Sequence, residues 1–200
     1  MMVPPVIGVI GGIGSGKSLV AAELARDGGV LIAGDVLGHE ALRQPDIQAA
    51  LVARWGERVL DAHGAVDRKR VAAIVFADTA ELRALETLTH PYIEHRIREE
   101  IAKARARPEV RRIVLDAAIL LEAGWHAVCD RLLFIDAPRA LRMERLAVKR
   151  GWSKQELQDR ENAQMPLAEK RRRADAVIEN AADPEQVASH VRALRERWNL

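Results

Sequence analysis

The chain has 200 residues, of which 48% are hydrophobic and 30% are charged, and its formal net charge is +2. These values are typical of one ordinary globular domain and exclude a disordered chain. Because Cys129 is the single cysteine, they also exclude a disulfide scaffold and a cysteine-based metal site. No apolar run reaches the roughly 18 residues of a spanning helix, and no signal-like segment opens the sequence, so we expect a cytoplasmic protein with no membrane partner.

The first predicted strand, about 6–10, leads into a glycine-rich loop. Residues 11–18 are G-G-I-G-S-G-K-S, which completes the pattern G-x-x-x-x-G-K-[ST]. In this pattern backbone N–H groups surround a polyphosphate, Lys17 reaches the β and γ oxygens, and the Ser18 hydroxyl can hold Mg²⁺. Apolar residues then recur at helical spacing, so the loop opens onto a helix N-terminus that favours anions. The sequence therefore predicts nucleoside-triphosphate binding; the alternative is a glycine-rich turn with an accidental Lys-Ser.

Strands alternate with helical segments along the rest of the chain. This alternation predicts an α/β fold with a parallel sheet. The C-terminal ends of parallel strands line the ligand crevice. Three of the predicted strands end in an aspartate, so these aspartates should lie at the same edge of the sheet as the glycine-rich loop. The first helix should end at a left-handed glycine near 27–29. The further strands lie at about 30–33, 112–115, 132–135 and 176–178, and the three aspartates are Asp35, Asp116 and Asp136.

A long helical insertion separates the second and third predicted strands, at about 37–108. Insertions at that edge of a sheet can cover a second substrate. Asp67 is predicted to cap one of its helices, and Asp78 with Glu81 to form a capping box. His90-Pro91 should interrupt the helical pattern, because a proline disfavours helical backbone in the residue before it.

A basic segment, about 139–173, separates the fourth and fifth strands. It contains eleven Lys and Arg residues against five Asp and Glu residues, which indicates a polyanionic ligand or, alternatively, a solvated helix face. A capping box, Ser153 with Glu156, opens a helix to about Gln164. Asp183 caps the C-terminal helix, whose apolar stripe belongs to the core. The predicted organisation is one domain with a core of about 1–36, 109–138 and 174–200, the insertion, and this segment as a mobile lid.

Among proteins with a phosphate loop, a small phosphoryl-transfer kinase fits best. The guanine-reading N-K-x-D of GTPases is absent, and no strand ends in the Asp-Glu of large ATPases. Such a kinase needs a group beside the acceptor hydroxyl, Mg²⁺ and cations that follow the transferred charge. Asp35 is the predicted base, and the alternative is that it is the N-cap of a helix that begins at Val36. Asp116 is predicted to hold metal-bound water or substrate, or to have a capping role alone. The arginines that could close over ATP, or remain on the surface, are Arg142, Arg145 and Arg150.

The sequence resembles the dephospho-coenzyme A kinase family nearly from end to end. The spaced Q…K…A-D-x-V-I-x-N tail is more specific than the loop. The matching segments are 7–18 (I-G-V-I-G-G-I-G-S-G-K-S), Asp35, His90-Pro91, 115–122 (L-D-A-A-I-L-L-E), Gln164, Pro166-Leu167, Lys170, 174–178 (A-D-A-V-I) and Asn180.

The resemblance implies a P-loop kinase fold with a five-stranded parallel sheet flanked by helices, a helical substrate-binding insertion and an arginine-bearing lid. It implies ATP-dependent phosphorylation of the ribose 3′-hydroxyl of dephospho-coenzyme A, with Mg²⁺, and Asp35 as base. Lys17 and Arg145 would act with it, and His90 and Asp116 would contact the acceptor. The residues implied to bind ATP are Gly12, Ile13, Gly14, Ser15, Gly16, Lys17, Ser18, Leu19, Arg145, Arg150 and Asn180.

The sequence departs from the family at four points. The family usually has D-A-D where this chain has Ala33-Gly34-Asp35, proline at Ala118, threonine at Leu19 and glutamine at Arg142. Two alternatives remain: a kinase for another small hydroxyl acceptor, such as a nucleoside monophosphate or sugar acid, and a nucleotide-binding regulator that uses the basic segment on RNA. The second needs stacking aromatics, and only Trp152 lies beside the basic run. We therefore expect no nucleic-acid partner and no obligate protein partner.

Overall fold

The computed structural model describes residues 3–181 and 183–200, with the backbone alone at Pro184. A five-stranded parallel sheet in the order β2-β3-β1-β4-β5 organises it. The strands are β1 (Val6–Gly11), β2 (Gly29–Ala33), β3 (Arg112–Asp116), β4 (Arg131–Asp136) and β5 (Ala176–Glu179). All five sequence-predicted strands are confirmed within about a residue at each end.

Helices connect the strands and cover the sheet. They are α1 (Lys17–Ala25), α2 (Gly34–Ala41), α3 (Pro45–Trp55), α4 (Arg68–Val75), α5 (Thr79–Arg105), α6 (Arg139–Arg150), α7 (Lys154–Asn162), α8 (Leu167–Arg172) and α9 (Pro184–Trp198). No helix in the described residues is long and apolar enough to cross a membrane.

β1 is the central strand, and all six of its residues are buried. Its apolar run has no polar alternation because a parallel sheet is covered by helices on both faces. Val9 of β1 pairs in register with Asp116 at the end of β3, and Gly11 pairs with Ile135 near the end of β4. The residue that begins the loop is therefore fixed between two strand ends.

The chain divides into two compact units. One consists of Met1–Ala33 with Glu100–Leu200 and contains the sheet; the other is Gly34–Glu99. The second unit contains α2 to α4 and most of α5, and its own core includes Ile47, Leu51 and Trp55, which are buried at the predicted helical spacing.

The prediction that His90-Pro91 interrupts the insertion's helix was wrong. α5 runs unbroken from Thr79 to Arg105 with Pro91 inside it. Proline removes one backbone donor, but Ile93 and Ile97 in the following turns are at most 5% exposed. Burial of such side chains is worth roughly 1.5–3 kcal/mol each, which is enough to offset the loss of a single hydrogen bond.

The predicted caps have mixed outcomes. Asp67 caps α4 by accepting from Lys69 N and Arg70 N, as predicted, and the Ser153–Glu156 capping box at α7 is complete. Asp183 also caps α9 through Glu185 N. Asp78 caps α5 by accepting from Ala80 N at 2.7 Å, as predicted, but the capping box with Glu81 was wrong. The Glu81 carboxylate instead accepts from Trp55 Nε1 at 2.6 Å and from the Arg54 guanidinium.

Asp35 does not act as an N-cap. α2 begins at Gly34, so Asp35 is its second residue, and its side chain is exposed. Among the residues described, no backbone N–H donates to its carboxylate. The capping alternative for Asp35 was therefore wrong.

Cys129 is a partly buried residue beside β1. A Cβ added at Gly8 would come within 2.8 Å of the Cys129 Sγ, so the sulfur fills space beside this strand. Burial, with a smaller contribution from nearby Asp130, raises the pKa of the Cys129 thiol to about 12. The thiolate is therefore scarce at neutral pH, and this thiol is not a nucleophile.

Candidate active site

The glycine-rich loop links the end of β1 to the start of α1. Gly14 and Gly16 have φ of +77° and +87°, in the left-handed region that glycine adopts without strain. Gly16 also caps α1, and a Cβ there would lie 2.2 Å from the Asn180 Nδ2. Because the loop passes this close to Asn180, no larger residue fits at Gly16. The N–H groups of the loop lie at the N-terminus of α1, where anions are favoured.

Lys17 folds back over the loop that precedes it. Its Nζ donates to Gly11 O at 3.2 Å and to Gly12 O at 2.9 Å. Ser18 is exposed at the second position of α1. The loop thus presents one ammonium and one hydroxyl beside the positive end of a helix dipole, which is the chemistry that polyphosphate binding requires.

Arg145 and Asn180 meet at the other side of the loop. Asn180 Nδ2 donates to Ser15 O at 2.7 Å, and its Oδ1 accepts from Arg145 Nη2 at 3.1 Å. Arg145 Nη1 also reaches Ser15 O, at 3.4 Å. The structure therefore brings these two predicted nucleotide residues together at the loop, from the lid segment and from the residue after β5.

Arg142 is the lid residue most deeply buried at the loop. Its side chain is 4% exposed, and its Nη1 donates to Ile13 O at 3.1 Å and to Glu161 Oε1 at 2.6 Å. Glu161 also pairs with Arg139 at 3.3 Å. Sequence reasoning missed this arrangement, although the spacing of Arg142 and Arg145 places both on one face of α6.

Arg150 lies apart from this cluster. It is exposed at the end of α6, and its guanidinium carbon lies 5.1 Å from the centroid of the Trp152 ring. Arg160 lies 4.3 Å from the same ring. Within residues 3–181 and 183–200, no contact joins Arg150 to the loop.

The strand-end aspartates differ in their surroundings. Asp116 ends β3 next to Val9 of β1 and is half-buried. Asp136 ends β4, and its carboxylate pairs with Arg171. Asp136 is therefore engaged in a structural ion pair, whereas Asp116 lies one strand from the start of the loop.

The remaining predicted site residues belong to the 34–99 unit. Asp35 is exposed in the first turn of α2. His90 is half-buried in α5, and burial lowers the pKa of its imidazole while Glu86 partly opposes that shift. His90 is therefore neutral at pH 7 and is a hydrogen-bonding group there rather than a cation.

A cavity of about 660 Å³ opens beside the first residues of the loop. It combines four apolar side chains with charged and amide groups. The lining residues are Gly12, Ile13, Arg139, Arg142, Gln158, Glu161, Asn162, Gln164, Met165, Pro166 and Leu167.

An ion pair made by a buried lysine holds one wall of this cavity. Lys170 is 1% exposed, and its Nζ lies 2.7 Å from Glu122 Oε1 and 3.2 Å from Gln164 Oε1. Glu122 also accepts from Met165 N at 2.9 Å. Removing Glu122 would leave the buried Lys170 charge without its carboxylate, so these residues fix the segment between α7 and α8.

A sequence model described as dephospho-CoA kinase matches residues 5–186. The chain belongs to the dephospho-CoA kinase family. A dephospho-CoA kinase of Geobacter sulfurreducens is 38% identical over 195 residues, which cover 96% of each chain. One from Anaeromyxobacter dehalogenans is 40% identical over 184 residues, covering 92% of this chain and 87% of the relative.

Solved structures show the same fold. TT1252 from Thermus thermophilus superposes with a TM-score of 0.81 at 34% identity, over 98% of each chain. A dephospho-CoA kinase from Campylobacter jejuni superposes with a TM-score of 0.65 at 20% identity, again over 98% of each chain. A shikimate kinase from Bacteroides thetaiotaomicron has a TM-score of 0.57 at 15% identity. The fold is therefore that of the P-loop kinases, as the sequence predicted.

Proposed function

We propose that this protein phosphorylates the ribose 3′-hydroxyl of dephospho-coenzyme A with ATP, giving coenzyme A and ADP, which is the last step of coenzyme A synthesis. The observation that carries the proposal is the family match over residues 5–186. The loop of this chain is consistent with it, since Gly11 O and Gly12 O accept from the Lys17 ammonium. Its catalysis is positioning and charge stabilisation, as in other phosphoryl transfers.

In this mechanism the loop N–H groups and Lys17 bind the phosphates of ATP. Asp35 orients the acceptor hydroxyl and accepts its proton as the new oxygen–phosphorus bond forms. The bond between the γ-phosphorus and the bridging oxygen breaks, and ADP leaves. Arg145, fixed by Asn180 at 3.1 Å, supplies positive charge beside the loop. His90 and Asp116 are proposed acceptor contacts.

The residues present fit Mg²⁺ held mainly by ATP. The described residues contain no cluster of three or more His, Cys, Asp or Glu side chains that could hold a metal, so no all-protein cage competes with phosphate ligands. Mg²⁺ commonly takes one or two protein oxygens, waters and substrate phosphates. Ser18 would supply a hydroxyl, and Asp116 would hold a bound water. When bound, the ion neutralises phosphate charge.

Neither alternative function has a specific observation in its favour. The likeness to shikimate kinase, at 15% identity, extends to the fold alone. An RNA-binding regulator would need Trp152 as a stacking platform, but Arg150 and Arg160 already lie at 5.1 and 4.3 Å from its ring centroid. We also place the reaction in a reducing cytoplasm, which a free Cys129 suits.

A coupled ADP-release assay tests the proposed reaction. We expect ADP release with dephospho-coenzyme A in large excess over release with nucleoside monophosphates, shikimate or gluconate. Mass spectrometry should find one added phosphate at the ribose 3′ position. Equal turnover with another acceptor would contradict the proposal.

The lid segment should become ordered when nucleotide binds. α6 carries the arginines that contact the loop, and α6 and α7 contribute few buried apolar side chains. Their amides should therefore exchange more slowly once ATP and Mg²⁺ are bound. Hydrogen-exchange mass spectrometry of residues 140–165 measures this, with α9 as the internal reference. Protection limited to residues 11–18 would contradict a lid.

A further inference from the structure

Two buried side chains hold the outer side of the phosphate loop by its carbonyl oxygens. Arg142 donates to Ile13 O at 3.1 Å, and Asn180 donates to Ser15 O at 2.7 Å. Arg142 is 3% exposed and Asn180 is 2% exposed. One bond comes from α6 in the lid segment, and the other comes from the residue after β5.

Peptide geometry gives these bonds a consequence on the other side of the loop. In a planar trans peptide, the C=O of one residue and the N–H of the next point in opposite directions. Fixing Ile13 O toward α6 therefore directs the Gly14 N–H away from α6, and fixing Ser15 O directs the Gly16 N–H away from Asn180. Both glycines have positive φ, and glycine can rotate these peptides at little cost, so the loop does not fix them by itself.

We propose that Arg142 and Asn180 are positioning residues that direct the N–H groups of Gly14 and Gly16 at the phosphates of the nucleotide. The inference rests on the proposed binding of ATP at this loop. Neither side chain needs to touch the phosphates. The buried N–H donor of each side chain is satisfied in only one orientation of the loop peptide, the one whose carbonyl oxygen accepts from it.

The surroundings of Arg142 fit a geometric role. Its Nε donates to Ala137 O at 3.3 Å, and Glu161 pairs with it at 2.6 Å and neutralises its charge. A Cβ at Gly12 would lie 3.0 Å from its Nη1, so the guanidinium packs directly on the loop backbone. With its charge paired, Arg142 contributes a fixed donor.

The amide of Asn180 is used at both ends. Its Nδ2 binds Ser15 O while its Oδ1 accepts from Arg145 at 3.1 Å, and its backbone N donates to Asp136 O at 2.7 Å. The backbone bond fixes the residue to the end of β4. Asn180→Leu would remove the Nδ2 donor to Ser15 O without adding a negative charge beside the phosphates. Arg145 would keep its longer bonds to Ser15 O and to the backbone O of residue 180, both 3.4 Å.

Isothermal titration with ADP tests the two bonds separately. Arg142→Lys keeps a donor at this position and the ion pair with Glu161. The double variant Arg142→Met with Glu161→Gln keeps the side-chain length, removes the donor to Ile13 O and leaves no unpaired carboxylate. We expect the Lys variant to bind ADP within about threefold of wild type. Arg142→Met with Glu161→Gln, and Asn180→Leu, should each bind ADP up to about tenfold more weakly, since one hydrogen bond is commonly worth up to about that factor.

Glu144→Leu, exposed on the same helix, is the control and should bind as wild type. Melting temperatures distinguish an altered loop from an unfolded protein. If both donorless variants fold and bind ADP within threefold of wild type, the inference is overturned. If wild type binds neither ADP nor inorganic pyrophosphate, the proposed function fails as well.

Nuclear magnetic resonance of the wild type gives a test that needs no variant. On addition of pyrophosphate, the amide protons of Gly14 and Gly16 should both move downfield, because they donate to an anion. If pyrophosphate binds and the amide proton of neither Gly14 nor Gly16 shifts, the inference is overturned.

Discussion

We expect Lys17→Ala to lower turnover by about 10²–10³-fold or more, the cost of one electrostatic contact to the transition state. The Lys17 ammonium is held at the loop by Gly11 O at 3.2 Å and Gly12 O at 2.9 Å. Alanine would remove this cation from the β and γ oxygens, and Arg145 alone would not replace it. Steady-state kinetics with saturating ATP measures the loss.

The fold should survive this change. Gly12 O keeps a second donor, Ser15 N at 3.1 Å, so the loop retains a turn of its own. The circular dichroism spectrum should match wild type, and Lys69→Ala, an exposed lysine on α4, should leave kcat unchanged. Near-normal turnover of a folded Lys17→Ala protein would refute the site assignment.

Asp35→Asn should reduce kcat at least about a hundredfold, the lower range for general-base catalysis, while ATP affinity stays near wild type. Asparagine keeps the shape of the side chain but cannot accept the proton of the acceptor hydroxyl. Turnover with dephospho-coenzyme A and the Kd for ATP, measured on the same preparation, separate the two effects.

Stability is the control for Asp35. Its carboxylate is exposed in the first turn of α2, where a charge interacts with the helix dipole by only about 0.3–1 kcal/mol. The melting temperature of Asp35→Asn should therefore fall slightly, and Asp46→Asn in the first turn of α3 should show a similar small change with full activity. Full activity of Asp35→Asn would direct the search for the base to Asp116.

The fold and the loop were accessible from local sequence pattern. The apolar run before Gly11 and the G-x-x-x-x-G-K-S spacing sufficed to place a parallel strand, a phosphate loop and a helix. Capping signals at Asp67 and Ser153 were also sufficient, because each involves residues two or three positions apart.

Interactions between distant residues were not accessible. Nothing local to Glu81 indicates that Trp55 and Arg54 will take its carboxylate in place of a cap. Pro91 lies inside α5 because burial of the following turns outweighs its local preference. Likewise, Glu161 and Arg142 are separated by a whole helix and a turn, so only the folded chain shows their pairing at the loop.

The central position of β1 has a consequence for synthesis of the chain. β1 pairs with β3 and β4, and the bond that fixes Ser15 comes from a residue 165 positions later. Contacts of such separation form slowly and late. A ribosome-bound chain therefore carries the complete phosphate-binding motif long before it carries the site. The strand lacks its partners until β3 and β4 have left the exit tunnel, and the bond to Ser15 O cannot form until residue 180 has left it as well.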